Sequence, residues 1–277
     1  MNELTICCAA NDEHVLAANL AQSPVMRSGL VDLIIERGHG SAGSAYNAAI
    51  AKASSDVVVC THQDVYLPAG WEQRLLDAIK DLELRGERWA VLGVWGIQAD
   101  GAFAGRVWCS GGNREYVRPF AGQAVEVDSI DEIVIVINRK VGLRFDDALP
   151  GFHLYGTDII LQAQQIGHRA FVFDGPVVHN SRCNPQPLDR AFWNAYRYMQ
   201  RKWASQVPLR TCTVPVTRAA WPLRKAWLRN ELDRLRGRTR DDGGRRGNDA
   251  VQLAQRLGYE TTTTREPALA GQSQHGW

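Results

Sequence analysis

The sequence predicts an α/β protein with a mixed, mostly parallel central sheet that is flanked by helices. Strand-like and helix-like segments alternate along the first part of the chain at the spacing of βαβ units. Residues 57–61 (Val-Val-Val-Cys-Thr) form a continuous run, which is typical of a parallel strand buried on both faces. The run ends abruptly at His62, Gln63 and Asp64, at the sheet edge where open α/β folds bind ligands.

The remaining elements follow from hydrophobic periodicity. Strands are predicted at residues 4–10, 30–35, 90–94, 124–128, 133–137, 170–173 and 177–178. Helices are predicted at residues 13–20, 44–53, 70–84 and 157–165, and Thr157 is the expected cap of the last one. The glycine-rich stretch 96–122 is predicted as a loop or irregular hairpin that serves as a functional flap.

The C-terminal part is predicted to be helical and then polar. Helical periodicity at residues 188–203 and 218–235 predicts an extension that spans 187–237 and follows a main domain at 1–186. The first of these helices carries an aromatic stripe, which favours packing against the main domain. Residues 238–277 have the composition of a linker and a disordered tail, interrupted by one short helix at 249–257.

Composition excludes several classes of protein. Hydrophobic residues make up 45% and charged residues 22% of the 277 residues, as in ordinary soluble proteins. No apolar run is long enough to span a membrane, and residues 1–4 lack the positive region of a signal peptide. The six cysteines are scattered without a CxxC pair, which predicts buried, reduced thiols in a cytoplasmic protein. The net charge of +2 argues against a nucleic-acid partner.

The arginine-rich segment 218–246 has two interpretations. It is either a solvated helix face or a surface that docks peripherally on the cytoplasmic face of an anionic membrane. In the second interpretation Trp221 and Trp227 lie at the lipid interface. Membrane contact would suit an enzyme with a lipid-linked or cell-surface acceptor.

Asp64, Asp158 and His179 stand at strand ends or at a helix start, and each has an ordinary structural explanation. Asp64 could form a turn, Asp158 could be a first-turn acid favoured by the helix dipole, and His179 could be a loop histidine. Together, a carboxylate and an imidazole suit Mn²⁺ or Mg²⁺ whose remaining positions are filled by a phosphate. The other carboxylate is then available for proton abstraction.

Six segments, in chain order, resemble those of GT-A glycosyltransferases near the family-2-like branch, over about residues 3–182. The segments are Ala9-Ala10-Asn11-Asp12, Glu36, Tyr46-Asn47-Ala48-Ala49-Ile50, His62-Gln63-Asp64, residues 151–158 and Val178-His179-Asn180-Ser181. The resemblance implies nucleotide-binding roles for Ala9, Asn11, Asp12, Glu36, Asn47 and Gln63. It further implies that Asp64 and His179 hold a divalent metal and that Asp158 is the catalytic base.

Two positions depart from the family pattern. His62 stands where the strand-end motif usually has its first acid, which leaves a single carboxylate for the metal. Gly156 stands where many relatives have the first of two acids, so Asp158 alone is expected to serve as base. The neighbouring acids Asp131 and Glu132 are expected to stay solvated at the start of a buried strand.

The resemblance predicts an inverting, metal-assisted transfer of a sugar from a nucleotide-sugar, expected to be a UDP-sugar, to a hydroxyl acceptor. It also predicts that Asp158→Asn abolishes transfer while nucleotide binding survives. A sugar-phosphate nucleotidyltransferase is an alternative, although the first strand is not followed by the glycine-rich basic loop of that class. A non-catalytic nucleotide- or glycan-binding protein is another. A Rossmann dehydrogenase is disfavoured because no GxGxxG follows the first strand.

Overall fold

Two β-sheets organise the computed structural model, which describes residues 3–29, 31–110, 113–180, 188–236 and 248–260. The strands are β1 (Leu4–Ala10), β2 (Val31–Arg37), β3 (Val57–His62), β4 (Val65–Tyr66), β5 (Trp89–Gly93), β6 (Trp95–Ile97), β7 (Phe103–Cys109), β8 (Arg114–Arg118), β9 (Ala124–Glu126), β10 (Ser129–Ile130), β11 (Val134–Asn138), β12 (Arg169–Phe173) and β13 (Val177–His179). The α-helices are α1 (Glu13–Ala18), α2 (Ala42–Lys52), α3 (Trp71–Leu84), α4 (Tyr155–Gln165), α5 (Arg190–Lys202), α6 (Trp221–Leu235) and α7 (Ala250–Arg256). Short 3₁₀ turns lie at Leu20–Gln22, Pro24–Arg27 and Arg139–Val141.

The central sheet has the strand order β2-β1-β3-β11-β5-β12-β9. Strands β2, β1, β3, β5 and β12 run in one direction, and β11 and β9 run against them. The predicted mixed, mostly parallel α/β sheet is therefore confirmed. Val58 and Val59 of β3 are fully buried, as the apolar run predicted.

Helices cover both faces of this sheet. Side chains on β1 alternate, so that Cys7 joins the core under α2, α4 and α5, whereas Ile6 and Cys8 join the core under α1 and α3. The small residues of α2 permit a close approach: a Cβ added at Gly43 would lie 2.4 Å from the carbonyl oxygen of Asp146.

The second sheet includes most of the glycine-rich stretch 96–122, for which the sequence predicts a loop or an irregular hairpin. Strands β7 and β8 form an antiparallel hairpin there, so the hairpin alternative is confirmed and the loop alternative is wrong. The strand order of this sheet is β10-β6-β7-β13-β4, and β8 pairs with β7 in antiparallel orientation. Gly105 lies inside β7 with a positive φ of 117°, and a Cβ there would come 2.1 Å from the Val94 carbonyl oxygen. Glycine is therefore required inside this strand because the neighbouring backbone approaches so closely, and its presence disguised the strand in the sequence.

Helix α4 begins two residues earlier than predicted, and Thr157 does not cap it. The cap position is Leu154, which has a left-handed backbone with φ of 63°. The Thr157 hydroxyl lies inside the protein, where it pairs with the Ser129 hydroxyl at 2.7 Å. The two buried hydroxyls form a hydrogen bond with each other, which allows a polar side chain to lie in the buried part of the helix.

The C-terminal extension packs on the main domain. The predicted aromatic stripe of α5 is buried, with Phe192, Tyr196, Met199 and the adjoining Trp203 in the core. Within the predicted tail, residues 248–260 are ordered against the second sheet, where Leu253 and Tyr259 pack with Trp108. The short helix predicted at 249–257 is present as α7, and its apolar side chains pack on the second sheet. Residues 237–247 and 261–277 lie outside the described residues, so the linker and disordered tail predicted there stay predictions.

Two expectations from composition can be compared with the described residues. None of their helices combines the length and the apolar character that crossing a bilayer requires. Five cysteines are free thiols, and Cys7, Cys8 and Cys60 are buried, as predicted. Cys183 lies outside the described residues.

Candidate metal centre and adjoining cleft

The ends of three neighbouring parallel strands bring polar residues to one edge of the central sheet. In the strand register Ala9 of β1 lies opposite His62 of β3, and Ala10 lies opposite Arg37 of β2. The second sheet adds His179, because β13 pairs with β4 and the Asn180 amide donates to the Asp64 carbonyl at 2.8 Å. Asp64 therefore lies between β3 of the central sheet and β4 of the second sheet, next to the end of β13.

His62, Asp64 and His179 form a cluster with the composition of a metal site. One potential ligand atom from each side chain lies within 4.8 Å of the others. Asp64 Oδ1 is 3.9 Å from His62 Nδ1 and 3.4 Å from His179 Nε2. That oxygen is buried and has no hydrogen-bond partner in the described part of the chain. A buried, unsatisfied carboxylate oxygen facing two imidazoles fits a divalent cation.

The cluster is strongly coupled electrostatically. Burial would raise the pKa of the Asp64 carboxyl, but the His179 and His62 imidazoles hold it well below its usual range. Burial would lower the pKa of His179, but Asp64 raises it well above the ordinary histidine value. Burial lowers the pKa of His62. The carboxylate is thus ionised, and binding of a cation through His179 requires that imidazole to release its proton.

A second layer of contacts orients both imidazoles. His62 Nε2 lies 3.0 Å from the hydroxyl of Tyr155, which donates to the main-chain oxygen of Glu132 at 3.1 Å. His179 Nδ1 lies 3.7 Å from the Cys109 sulfur. Such partners fix ring orientation and tautomer in metal sites. The sequence carried no separate sign of Tyr155, which sits within the segment that resembled an acidic motif.

A cleft of about 280 Å³ opens beside the cluster, and His62 and Asp64 form part of its wall. Four of the predicted nucleotide-binding residues line it: Ala9, Asn11, Glu36 and Gln63. His39 and the partly exposed Phe152 line it as well. The sequence analysis did not single out these two residues, because neither stands at the end of a predicted strand.

Glu36 supplies a fixed negative charge in the cleft. Its carboxylate accepts from Lys52 Nζ at 2.6 Å and lies 3.2 Å from His39 Nε2. The hydrogen bond from Lys52 is the main cause that lowers the pKa of Glu36. Glu36 is therefore an ionised acceptor for the hydroxyl or N–H groups of a ligand.

Gln63 and Asn11 hold the ends of β1 and β3 together. Gln63 Oε1 accepts from the amides of Asn11 and Asp12 at 2.9 and 3.0 Å, and its Nε2 donates to Asn11 Oδ1 at 2.6 Å. The Asp12 carboxylate caps α1 by accepting from the amides of His14 and Val15. Gln63 thus shapes the cleft wall whatever else it binds.

Asn47 engages a different part of the protein. Its side chain donates to the Phe145 carbonyl at 2.8 Å and accepts from the Phe145 amide at 3.0 Å. It also donates to Asp147 at 2.9 Å. These contacts fasten α2 to the segment before α4, and the predicted nucleotide contact of Asn47 stays a prediction.

Asp158, the predicted base, is not brought into the metal cluster. It lies in the first turn of α4 with a residue exposure of 1%, and it faces α5. Trp203 Nε1 donates to Oδ1 at 2.7 Å, and Lys202 Nζ donates to Oδ2 at 2.9 Å. Burial raises the pKa of Asp158, and the contacts with Lys202 and Trp203 oppose that change. In this arrangement the carboxylate ties α4 to α5.

Glu132 lies nearer to the cluster than the sequence analysis expected. Its Oε1 accepts from the Gly156 amide at 3.3 Å, and its main-chain oxygen accepts the Tyr155 hydroxyl that contacts His62. Burial, followed by the neighbouring Asp131 carboxylate, raises the pKa of Glu132 to about 8. A Cβ at position 156 would lie 2.8 Å from the Ile130 carbonyl oxygen. Glycine at 156 therefore reflects close packing beside Glu132.

Fold and site together define an α/β protein with a candidate divalent-metal centre at the carboxyl edge of its central sheet. No protein-family model matches the chain. A curated relative from Fuscovulum blasticum, described as ATP synthase subunits region ORF 6, is 28% identical over 160 residues. The match covers 54% of this chain and 61% of that protein, so the chain spans less than two thirds of the relative's length.

Solved structures with a similar arrangement include two neighbours at low sequence identity. S. aureus TarS matches with a TM-score of 0.45 and 14% identity, over 73% of this chain and 39% of TarS. A mannosyltransferase from Pyrobaculum calidifontis, solved with GDP-Man and Mn²⁺, matches with a TM-score of 0.44 and 12% identity, over 74% of this chain and 64% of that one. The roles proposed for the site residues therefore rest on the contacts that those residues make in this protein.

Proposed function

We propose that this protein is a glycosyltransferase that moves a sugar from a nucleotide-sugar, expected to be a UDP-sugar, to a hydroxyl acceptor with inversion. The observation that carries the proposal is the His62–Asp64–His179 cluster on the wall of a cleft that contains Glu36. A cation site beside an acidic, nucleoside-sized cleft suits a ligand with a diphosphate at one end and a base and ribose at the other. The ordered resemblance of the strand-end segments supports the same class.

Each part of the cleft has a proposed role. His62, Asp64 and His179 would hold a divalent metal, which, when bound, neutralises the charge that develops on the leaving diphosphate. Glu36 would accept a hydrogen bond from the ribose or the base. Phe152 would offer an aromatic face in the lining of the same cleft.

Inverting transfer also needs a carboxylate that takes the proton of the acceptor hydroxyl. Asp158 is the base that the sequence resemblance implies, but it would have to leave Lys202 and Trp203 to reach an acceptor. We propose Glu132 for this role, because it is partly exposed and its main-chain oxygen accepts from the Tyr155 hydroxyl that contacts His62. Its raised pKa suits a base that works near neutral or mildly alkaline pH.

A screen of nucleotide-sugars for release of free nucleotide tests the function. With Mn²⁺ present, we expect one UDP-sugar to release UDP at a rate that increases when an acceptor glycan is added. Binding of UDP, seen as a thermal shift, without any turnover of any donor would favour the alternative of a non-catalytic nucleotide-binding protein. Neither binding nor turnover across UDP-, GDP- and dTDP-sugars would overturn the proposal.

We further propose that α6 contacts an anionic membrane surface, which would suit a lipid-linked acceptor. Large apolar side chains are exposed along this helix: Trp221, Trp227, Leu228, Leu232 and Leu235. Basic side chains are exposed among them: Arg224, Lys225, Arg229 and Arg236. Leu223 is buried in the core and anchors the helix. Exposed tryptophan beside basic residues is typical of helices that lie at the lipid interface.

Co-sedimentation with vesicles tests this contact. We expect the full chain to sediment with phosphatidylglycerol-containing vesicles and much less with pure phosphatidylcholine, and the binding should weaken in high salt. The double variant Trp221→Ser/Trp227→Ser should lose binding, whereas Leu84→Ser, which removes a still more exposed apolar side chain from α3, should keep it. Point variants are preferable to truncation at residue 218, because truncation also removes the packed helix α7. Equal, negligible sedimentation with both vesicles would end the proposal.

A further inference from the structure

The residue at the missing acid position, His62, is itself positioned to bind the metal. We infer that His62 binds through Nδ1, and that its imidazole makes the centre select a borderline transition ion, such as Co²⁺ or Zn²⁺, over Mg²⁺. The inference deepens the proposed function by naming the class of metal that the same site takes. Metal selectivity can be measured without turnover, so the inference and the proposed transferase activity can fail separately.

The donor atom of His62 follows from its hydrogen-bond partner. A phenol has one proton to donate, and the Tyr155 hydroxyl donates it to the main-chain oxygen of Glu132, which can only accept. With that proton directed to Glu132, the Tyr155 oxygen is an acceptor toward His62 Nε2, 3.0 Å away, and we infer that Nε2 carries the ring proton. In a neutral ring the lone pair is then on Nδ1, the nitrogen that lies 3.9 Å from Asp64 Oδ1. Tyr155 is thus a positioning residue for the metal.

The donor set decides the class of ion. The cluster offers two imidazole nitrogens and the buried Asp64 oxygen, which has no hydrogen-bond partner among the described residues. Mg²⁺ favours oxygen ligands and gives up its waters reluctantly, whereas imidazole suits borderline transition ions. An acid at position 62 would supply a second carboxylate and restore an oxygen-rich site. The histidine therefore shifts the balance away from Mg²⁺.

Calorimetric titration of the metal-free protein with Mg²⁺, Mn²⁺, Co²⁺ and Zn²⁺ tests the selectivity. We expect wild-type protein to bind Co²⁺ and Zn²⁺ far more tightly than Mg²⁺. His62→Asp should lower the ratio of Co²⁺ to Mg²⁺ affinity by about tenfold or more. His168→Asp, the same replacement beyond the far end of α4, should leave the ratio unchanged. An unchanged ratio in folded His62→Asp protein would overturn the inference.

The ring tautomer of His62 gives a second readout, which is measured on the wild-type protein and does not require a variant with altered metal affinity. In ¹⁵N-histidine spectra of metal-free wild-type protein, the His62 ring should carry its proton on Nε2. Tyr155→Phe should remove that preference and weaken Co²⁺ binding by about tenfold, as loss of such a partner does in other metal sites. A His62 ring protonated on Nδ1 alone in the wild-type protein would contradict the inference, even if His62→Asp failed to fold.

Discussion

Replacing Asp64 by asparagine should abolish divalent-metal binding and lower donor turnover by about 100-fold or more. Asparagine keeps the size of the side chain but removes the only carboxylate in the His62–Asp64–His179 cluster. The loss follows because two neutral imidazoles alone hold the cation weakly and no longer place it beside the cleft. Calorimetry with Mn²⁺ or Co²⁺ and initial rates of nucleotide release measure the two effects.

A matched control separates the metal role from a change of overall charge. Asp174→Asn removes the same charge from an exposed residue that pairs with Arg74 at 3.4 Å on the protein surface. That variant should bind metal and turn over donor like the wild type. Unchanged metal affinity in Asp64→Asn protein would remove the cluster from the proposed mechanism.

Glu132→Gln should lower turnover by about 100-fold or more with little change in the melting temperature. The amide keeps a carbonyl oxygen to accept from the Gly156 amide, so α4 should keep its start, but it cannot take a proton. Asp158→Asn should behave differently, with a loss of about 2 kcal/mol of stability because Lys202 loses its buried carboxylate partner and keeps only the partly exposed Asp146. Rates at saturating donor, together with denaturant unfolding, distinguish the two variants.

The pH dependence of turnover and of stability also tests the assignment of Glu132 as the base. The pKa of Glu132 is raised to about 8, so the wild-type rate should rise with pH up to about that value. Because the folded protein binds this proton more tightly than the unfolded chain does, stability should fall as pH increases from the ordinary glutamate range to about 8. Glu132→Gln should flatten that part of both profiles. If folded Asp158→Asn protein lost turnover while Glu132→Gln kept it, the base would be Asp158, as the sequence resemblance implied.

Elements with strong local patterns could be predicted from the sequence. The buried run of β3 predicted a strand that leads to Asp64, and alternation with helices predicted the parallel part of the sheet. The aromatic stripe of α5 likewise predicted a buried face. These features depend on periodicity within one segment, which the sequence displays directly.

Features that depend on contacts between distant segments could not be predicted in this way. Strand β7 of the second sheet was hidden by Gly105, whose requirement comes from a neighbouring backbone. The ion pair of Asp158 with Lys202 joins residues 44 positions apart. His62 looked like a missing acid because the sequence says nothing of the Tyr155 hydroxyl that orients its ring.

Anomalous diffraction from crystals grown with Co²⁺ and UDP would test the metal centre most directly. A single strong peak is expected within bonding distance, about 2.0–2.4 Å, of His62 Nδ1, Asp64 Oδ1 and His179 Nε2. The diphosphate should contact the same ion, and the nucleoside should lie in the cleft beside Glu36. A peak elsewhere, or UDP bound away from an empty His62–Asp64–His179 cluster, would contradict the central claim.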